Sequence, residues 1–304
     1  SSRRRHTRLL TQSRGLGDVY KRQPGVWTHA KALGPPVWGF AAALVHRLDQ
    51  AREEGVEVYT DQYPYLASAT GLTSALLPRW AQAGGTDSLR VRLDRGADRS
   101  RIRAAVVDNL ARRGGADRIQ FRRFREDPSI EGRTLAGVAA DRGLDPVDAA
   151  LVLFEQGAPA IVSFNMHEDD LRALMVQPFT MTASDGGLVP LGSGVPHPRS
   201  YAAFTVKLTE YVDAGVVTLE EAIRSMTSLP ARVYRMPDRG EIRVGAIADL
   251  VVFDPDDLAT DATFTDPHHI ARGMRWVWVN GQAAIADGAF TGRRDGRVLR
   301  KEQG

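Results

Sequence analysis

"PGVWTHAKALGPPVWGFAAALVHRLDQAREEGVEVYTDQYPY" (residues 24–65) is the stretch whose reading decides the fold. It opens on a short β-prone run and reaches Gly34. "VWGFAAALVHRLDQAREEG" (37–55) reads as a helix. Phe40, Ala43, Leu44, Leu48 and Ala51 recur at 3–4 spacing, and Gly55 is placed to stop it. "VEVYTDQYPY" (56–65) reads as a strand on its β-branched and aromatic content, ended by Pro64. Strand, helix and strand in so short a span predict a βαβ unit, hence a parallel sheet and an α/β fold.

Downstream, "FTMTASDGG" (179–187) predicts another strand, ending in Asp and a glycine pair. Residues 66–178 between them are too long for a simple loop and must fold on their own terms. "ASATGLTSALLPRWAQAGG" reads as loop and short helix, and "LRVRLDRGADRSRIRAAVVDNLARRGG" as a solvated amphipathic helix. A short strand is expected near Ile119–Phe124. "LDPVDAALVLFEQG" predicts a helix with Asp145 as N-cap, Pro146 at N1 and Gly157 at its end. "APAIVSF" (158–164) is a strand, and "TLEEAIRSMTSLPARVY" a helix with a capping box of Thr218 and Glu221. "RGEIRVGAIADLVVFD" and "MRWVWVNGQAAIADGAF" read as strands of a small β domain, with Asn280-Gly281 as a hairpin turn.

The chain has 304 residues, 43% hydrophobic and 25% charged, the composition of a globular protein. It lacks any apolar run of about 18 residues, so no membrane span is expected. The absence of cysteine excludes disulfides and cysteine metal sites within the chain and fits a cytoplasmic, reducing location.

The net charge is +3, but residues 1–23 carry seven Lys/Arg and one Asp, which leaves −3 on residues 24–304. "SSRRRHT" and "DVYKRQ" resemble translated sequencing-adaptor read-through, so this leader is expected to be non-native and the true N-terminus missing. Residues 87–126 hold twelve Arg among six acidic residues with few aromatics, the pattern of a solvated face. No nucleic-acid partner is expected.

Phosphate loops, H-E-x-x-H and G-x-S-x-G are absent from the sequence. His46, His268 and His269 read as solvated or locally bonded, and His167 as a helix-entry residue. His29 and His197 stand out. His29 lies at the end of a predicted parallel strand with Lys31 two residues on, and Asp185 ends another. In a βα-barrel such strand ends converge on the active site. A His and an Asp there can bind a divalent metal, and the Asp can take a proton from metal-bound water. From spacing alone Asp185 equally reads as a turn or N-cap residue, and His29 as a packed imidazole.

"THAKALGPPVWG", "DQYPYLASATGL", "TASDGG", "GVPHPRSYAAF", "EEAIRSMTSLPAR", "RGEIRVGAIADLVVFDP" and "VWVNGQAAIADGAFTGRRDGRVLR" together resemble the C-terminal half of the D-aminoacylases. These are the N-acyl-D-amino-acid deacylases of the amidohydrolase superfamily. The resemblance covers nearly all of residues 24–304 and is weakest at about 85–130. It implies an incomplete (β/α)8 metal-dependent barrel over 24–235, with an insertion at about 66–178 and a small β domain over 236–304. It further implies zinc, with His29 as a barrel-strand ligand and Asp185 as general base that also touches metal. Lys31 and Arg199 match residues that hold the substrate α-carboxylate, and Tyr63 and Ser68 match pocket residues.

The family's His-x-His, its bridging ligand and a further His are expected upstream of residue 24. One His and one Asp do not make a stable zinc site. The chain is therefore expected to be a truncated, inactive fragment whose partner is a small N-acyl-D-amino acid. Three other readings stand beside this one: a dipeptidase or hydantoinase-like amidohydrolase, a binding protein with a decayed site, and a nucleic-acid binder acting through the basic leader. Lys31 with Arg199 favours a free carboxylate over a cyclic amide.

Overall fold

The computed structural model describes residues 24–300; the leader at 1–23, and with it the adaptor reading, lies outside the described residues. β1 (Gly25–Trp27), a helix over Ala41–Glu53 and β2 (Val58–Gln62) follow in the order expected, and the two strands pair in parallel. β3 (Ser68–Gly71), β4 (Ile119–Arg123) and β5 (Ala160–Ser163) form an antiparallel sheet in the order β3-β5-β4. β6 (Thr180–Thr182) then returns to β2 in parallel, giving β1-β2-β6. β7 (Leu250–Phe253), β8 (Met274–Val279), β9 (Gln282–Ala286) and β10 (Ala289–Phe290) form an antiparallel meander. Among the described residues no helix is long and apolar enough to cross a membrane.

The segment between β2 and β6 has its own core. Leu76, Leu93, Ile102, Phe121, Leu151 and Phe154 are buried together in it. The helix Glu168–Met175 then brings the chain back, and its Asp170 carboxylate caps the helix Ala41–Glu53 from outside, accepting from Gly39 N and Ala41 N at 2.8 Å. That helix has no side-chain cap of its own, so a distant carboxylate satisfies its orphan N–H groups.

Several local expectations need correction. "SATG" is a strand, not a loop: pairing with β5 overrides the low β propensity of Ala and Gly. The helix expected across 89–115 breaks at Arg95, which is extended at ψ 114 ahead of Gly96. The helix expected across 218–234 breaks at Thr227, three residues before Pro230, whose missing N–H fits only the first turn of the new helix Ser228–Val233. "RGEIRV" is not a strand, because Gly240 and Gly245 turn the chain there with φ of 82° and 85°. In the helix Ala41–Glu53 the buried positions are Ala41 and Leu48, while Phe40 and Ala43 are exposed.

Other expectations held. The Thr218–Glu221 capping box forms in both directions. Asp145 accepts from Val147 N at 2.9 Å. Asn280 and Gly281 carry φ of 50° and 76°, as their hairpin turn requires.

Candidate active site

The C-terminal ends of β1, β2 and β6 lie side by side, because the three strands are parallel and in register from Trp27↔Thr60 to Gln62↔Thr182. Each strand runs directly into a chemically active residue. β1 leads to His29 and Lys31, β2 ends on Asp61-Gln62 and leads to Tyr63, and β6 leads to Asp185.

His29 and Asp185 share an uncommon backbone. Both are non-glycine residues in the left-handed region, with φ of 43° and 47°. Such conformations cost energy and persist where the surroundings over-determine them. At His29 the constraint is visible: its N–H donates to Asp61 Oδ1 at 2.7 Å, and the next N–H, of Ala30, donates to Asp61 O at 2.8 Å. At Asp185 the constraint is Gly186. A Cβ there would lie 2.8 Å from Ser200 Cα and 3.0 Å from Arg199 O, so only glycine lets this loop lie against the helix Arg199–Val206.

That close approach pairs Asp185 with Arg199, Oδ2 to Nη2 at 3.0 Å. Arg199 is 7% exposed and its Nη1 is buried without a hydrogen-bond partner. The Tyr63 ring lies against both site cations, with Arg199 Cζ 4.4 Å and Lys31 Nζ 5.2 Å from its centroid. Burial raises the Tyr63 phenol, so it stays protonated. Lys31 Nζ lies 3.0 Å from His29 Nδ1 and also donates to His29 O. Burial pushes the Lys31 ammonium down to about 8, with Asp185 and Asp61 pulling it back and Arg199 adding to the fall.

His197 anchors the loop before Arg199. It is 1% exposed, its Nδ1 accepts from Arg199 N at 3.1 Å and its Nε2 lies 3.0 Å from Ala67 O. Burial, then the charge of Arg199, pushes it down to about 3, so it is a neutral imidazole donating from Nε2.

The structure thus brings together His29, Lys31, Tyr63, Asp185 and Arg199. Ser68 is held apart: its Oγ lies 3.1 Å from the Asn165 side-chain amide and is buried at the start of β3. Two residues were not singled out from the sequence. Asp61, whose carboxyl is raised by burial, braces His29. Lys207 is 2% exposed and donates to Thr182 Oγ1 and Ser225 Oγ at 2.8 and 3.0 Å. A polar pair closing a parallel strand could have flagged Asp61; nothing in the local pattern flags Lys207.

No group of three His, Cys, Asp or Glu side chains that could hold a metal ion occurs among the described residues. His29 and Asp185 alone fall short of the three or four protein ligands that zinc takes. The donor set of the described residues therefore does not by itself fit a zinc ion.

Residues 42–285 match the profile of the amidohydrolase family. An N-acyl-D-glutamate deacylase from Alcaligenes xylosoxydans xylosoxydans is 36% identical over 278 residues, 91% of this chain and 48% of that protein. A D-aminoacylase from the same organism is 32% identical over 277 residues, again 91% of this chain and 48% of its own length. Among solved structures, N-acyl-D-glutamate deacylase from Bordetella bronchiseptica, complexed with zinc and a phosphonate inhibitor, superposes with a TM-score of 0.70 at 34% identity. It is matched over 91% of this chain and 50% of its own. The chain spans about half the length of the relatives it matches.

Proposed function

The chain belongs to the amidohydrolase family, and on that premise we propose that it is the part of a zinc-dependent N-acyl-D-amino-acid deacylase that grips the substrate carboxylate and carries the general base. One observation carries the reading: Lys31 and Arg199 both lie against the Tyr63 ring beside the ends of the parallel strands, and Arg199 is paired with Asp185. Arg199 and Lys31 hold the α-carboxylate, the first through its fork of N–H donors and the second as a compact charge. Asp185 takes the proton from the attacking water and returns it to the leaving amine. Asp61 keeps His29 in place through its backbone N–H.

Zinc would supply the activated water and polarise the amide carbonyl. Since His29 and Asp185 are too few to hold it, the remaining ligands belong to chain outside these residues, and this polypeptide alone is inactive. The parallel sheet is then part of an incomplete (β/α)8 barrel over 24–235, with the insertion at about 66–178 and the β domain at 236–304. Exposure at β1 supports this: Trp27 is 37% exposed, whereas parallel sheets are ordinarily covered on both faces. The lack of cysteine supports a cytoplasmic setting.

The test is a chain extended upstream to the length of its relatives, loaded with zinc and assayed on N-acetyl-D- and N-acetyl-L-amino acids. Release of the free D-amino acid is expected. Hydrolysis of neither enantiomer, or of both equally, would reject the reading.

A further inference from the structure

The chain between Asp185 and Arg199 is neither helix nor strand, yet the two residues at its ends meet at 3.0 Å. Such a loop must be held from outside if that pair is to keep one geometry. Val195 N supplies one tie, donating to Arg122 O at 2.8 Å. Arg122 is the extra residue of a β-bulge: β4 pairs with β5 up to Phe121↔Ile161 and resumes at Arg123↔Ala160, which frees that carbonyl from the ladder. Gly194 permits the approach, since an added Cβ would stand 2.8 Å from Arg122 O.

A second tie comes from the segment between β7 and β8. His268, expected from sequence to be solvated or locally bonded, instead reaches three points on and beside this loop. Its Nδ1 accepts from Gly192 N at 3.2 Å and lies 2.9 Å from Tyr201 Oη, and its Nε2 lies 2.8 Å from Gly194 O. A backbone N–H can only donate, so Nδ1 carries no proton. Nε2 therefore holds it and donates to Gly194 O, and the Tyr201 hydroxyl donates to Nδ1. The Tyr201 ring meets the imidazole edge-on, with centroids 5.6 Å apart. Tyr201 belongs to the helix Arg199–Val206, within one turn of Arg199 itself. One neutral imidazole thus binds the middle of the loop to the helix that bears the guanidinium.

We propose that His268 is a positioning residue for the deacylase site: by joining Gly192 and Gly194 to Tyr201 it fixes the Asp185–Arg199 pair, and with it how tightly the α-carboxylate is held. The inference rests on the proposed binding of that carboxylate by Lys31 and Arg199. His268 bonds to the loop and to the helix, and acts on Arg199 through them. A guanidinium grips a carboxylate through two parallel N–H donors, so a small displacement of Arg199 puts one of them out of line.

Calorimetric titration of this 304-residue chain with N-acetyl-D-alanine, alongside thermal melts, tests it. His268→Ala should weaken binding about tenfold, the loss expected when one charge-assisted hydrogen bond goes out of line. His268→Asn should recover most of that loss, because its side-chain oxygen can accept from Gly192 N and Tyr201 Oη. Tyr201→Phe keeps the imidazole and its hold on the loop but cuts the link to the helix, and should cost roughly threefold with an unchanged melting temperature. Wild-type affinity in His268→Ala, no recovery in His268→Asn, or affinities in all three variants that merely follow their melting temperatures, overturns the inference and leaves the deacylase reading standing. If His268→Ala does not fold, Tyr201→Phe decides: weakened binding in that folded protein supports the inference, and wild-type affinity overturns it. Absence of binding by the wild type overturns both.

Discussion

Arg199 spends one face of its guanidinium on Asp185, Nη2 to Oδ2 at 3.0 Å, and keeps Nη1 buried and unbonded. The proposed proton acceptor and the proposed carboxylate anchor are therefore a pair before any substrate arrives. A substrate carboxylate must therefore compete with Asp185 for the same cation.

Two opposite effects of Asp185→Asn follow. The neutral amide releases Arg199, so N-acetyl-D-amino acids should bind this chain more tightly. It cannot accept a proton, so turnover in the zinc-loaded extended enzyme should fall by at least about 10²-fold. Calorimetry and steady-state kinetics read the two separately, and near-wild-type turnover would place the base elsewhere. Arg199→Ala should cost roughly 10–100-fold in affinity for these ligands. It should cost little for an N-acyl amine that lacks the carboxylate; equal damage to both would make Arg199 a structural residue.

Gly186→Ala tests the same pair through the backbone. Gly186 is not in the left-handed region, so alanine meets no torsional penalty there. The cost is steric, because Ser200 Cα and Arg199 O stand 2.8 and 3.0 Å from the added methyl group. Neither atom is the end of a flexible side chain, so the loop must move away from the helix. A loss of about 1–3 kcal/mol in stability is expected, as for overpacking elsewhere. Carboxylate affinity should fall with it. Denaturant melts and calorimetry check both; an unaffected melt would mean the loop relaxes freely.

Metal analysis after dialysis addresses the donor count. With no three-donor group among the described residues, this chain should retain well under one zinc per molecule. Stoichiometric zinc that resists dialysis would show that the ligand set is complete within this polypeptide.

The βαβ order was legible from residues 24–65 because the apolar period changes cleanly from helix to strand there. The positions of His29 and Asp185 were legible because each follows a parallel strand. Their shared left-handed backbone was not, since nothing in a His or Asp announces a positive φ. β3 was missed because "SATG" becomes a strand only through its partner β5. Arg122, His197 and Lys207 depend on elements far apart in the chain: the Arg122 bulge needs β5 and Val195, and Lys207 needs Thr182 and Ser225. The role of a charged residue whose partners lie so far off in sequence cannot be read from its neighbours.

Lys207 yields a pH dependence with a definite sign. Burial pushes its ammonium down to about 8 from the ordinary 10.5, with Glu221 only partly offsetting this. Between about 8 and 10.5 the unfolded chain binds a proton that the folded chain has released. Stability contributed by this group therefore rises with pH across that window, and below it the full penalty of burying a charge applies. Lys31 is shifted in the same direction and adds to the trend. In Lys207→Met the buried charge is gone, and the two hydroxyls it served are still satisfied: Thr182 Oγ1 and Ser225 Oγ lie 2.8 Å apart, and Ser225 Oγ donates to Ala222 O at 2.6 Å. Replacing a buried charge by an apolar side chain of similar length is then stabilising. At pH 7 the variant should melt roughly 5 °C higher than the wild type. The gain should shrink toward zero near pH 10, where the native lysine is already neutral. Calorimetric melts at the two pH values check this, and a lower melting temperature for Lys207→Met at pH 7 would mean that the hydrogen bonds from Nζ to Thr182 and Ser225 outweigh the cost of burying its charge.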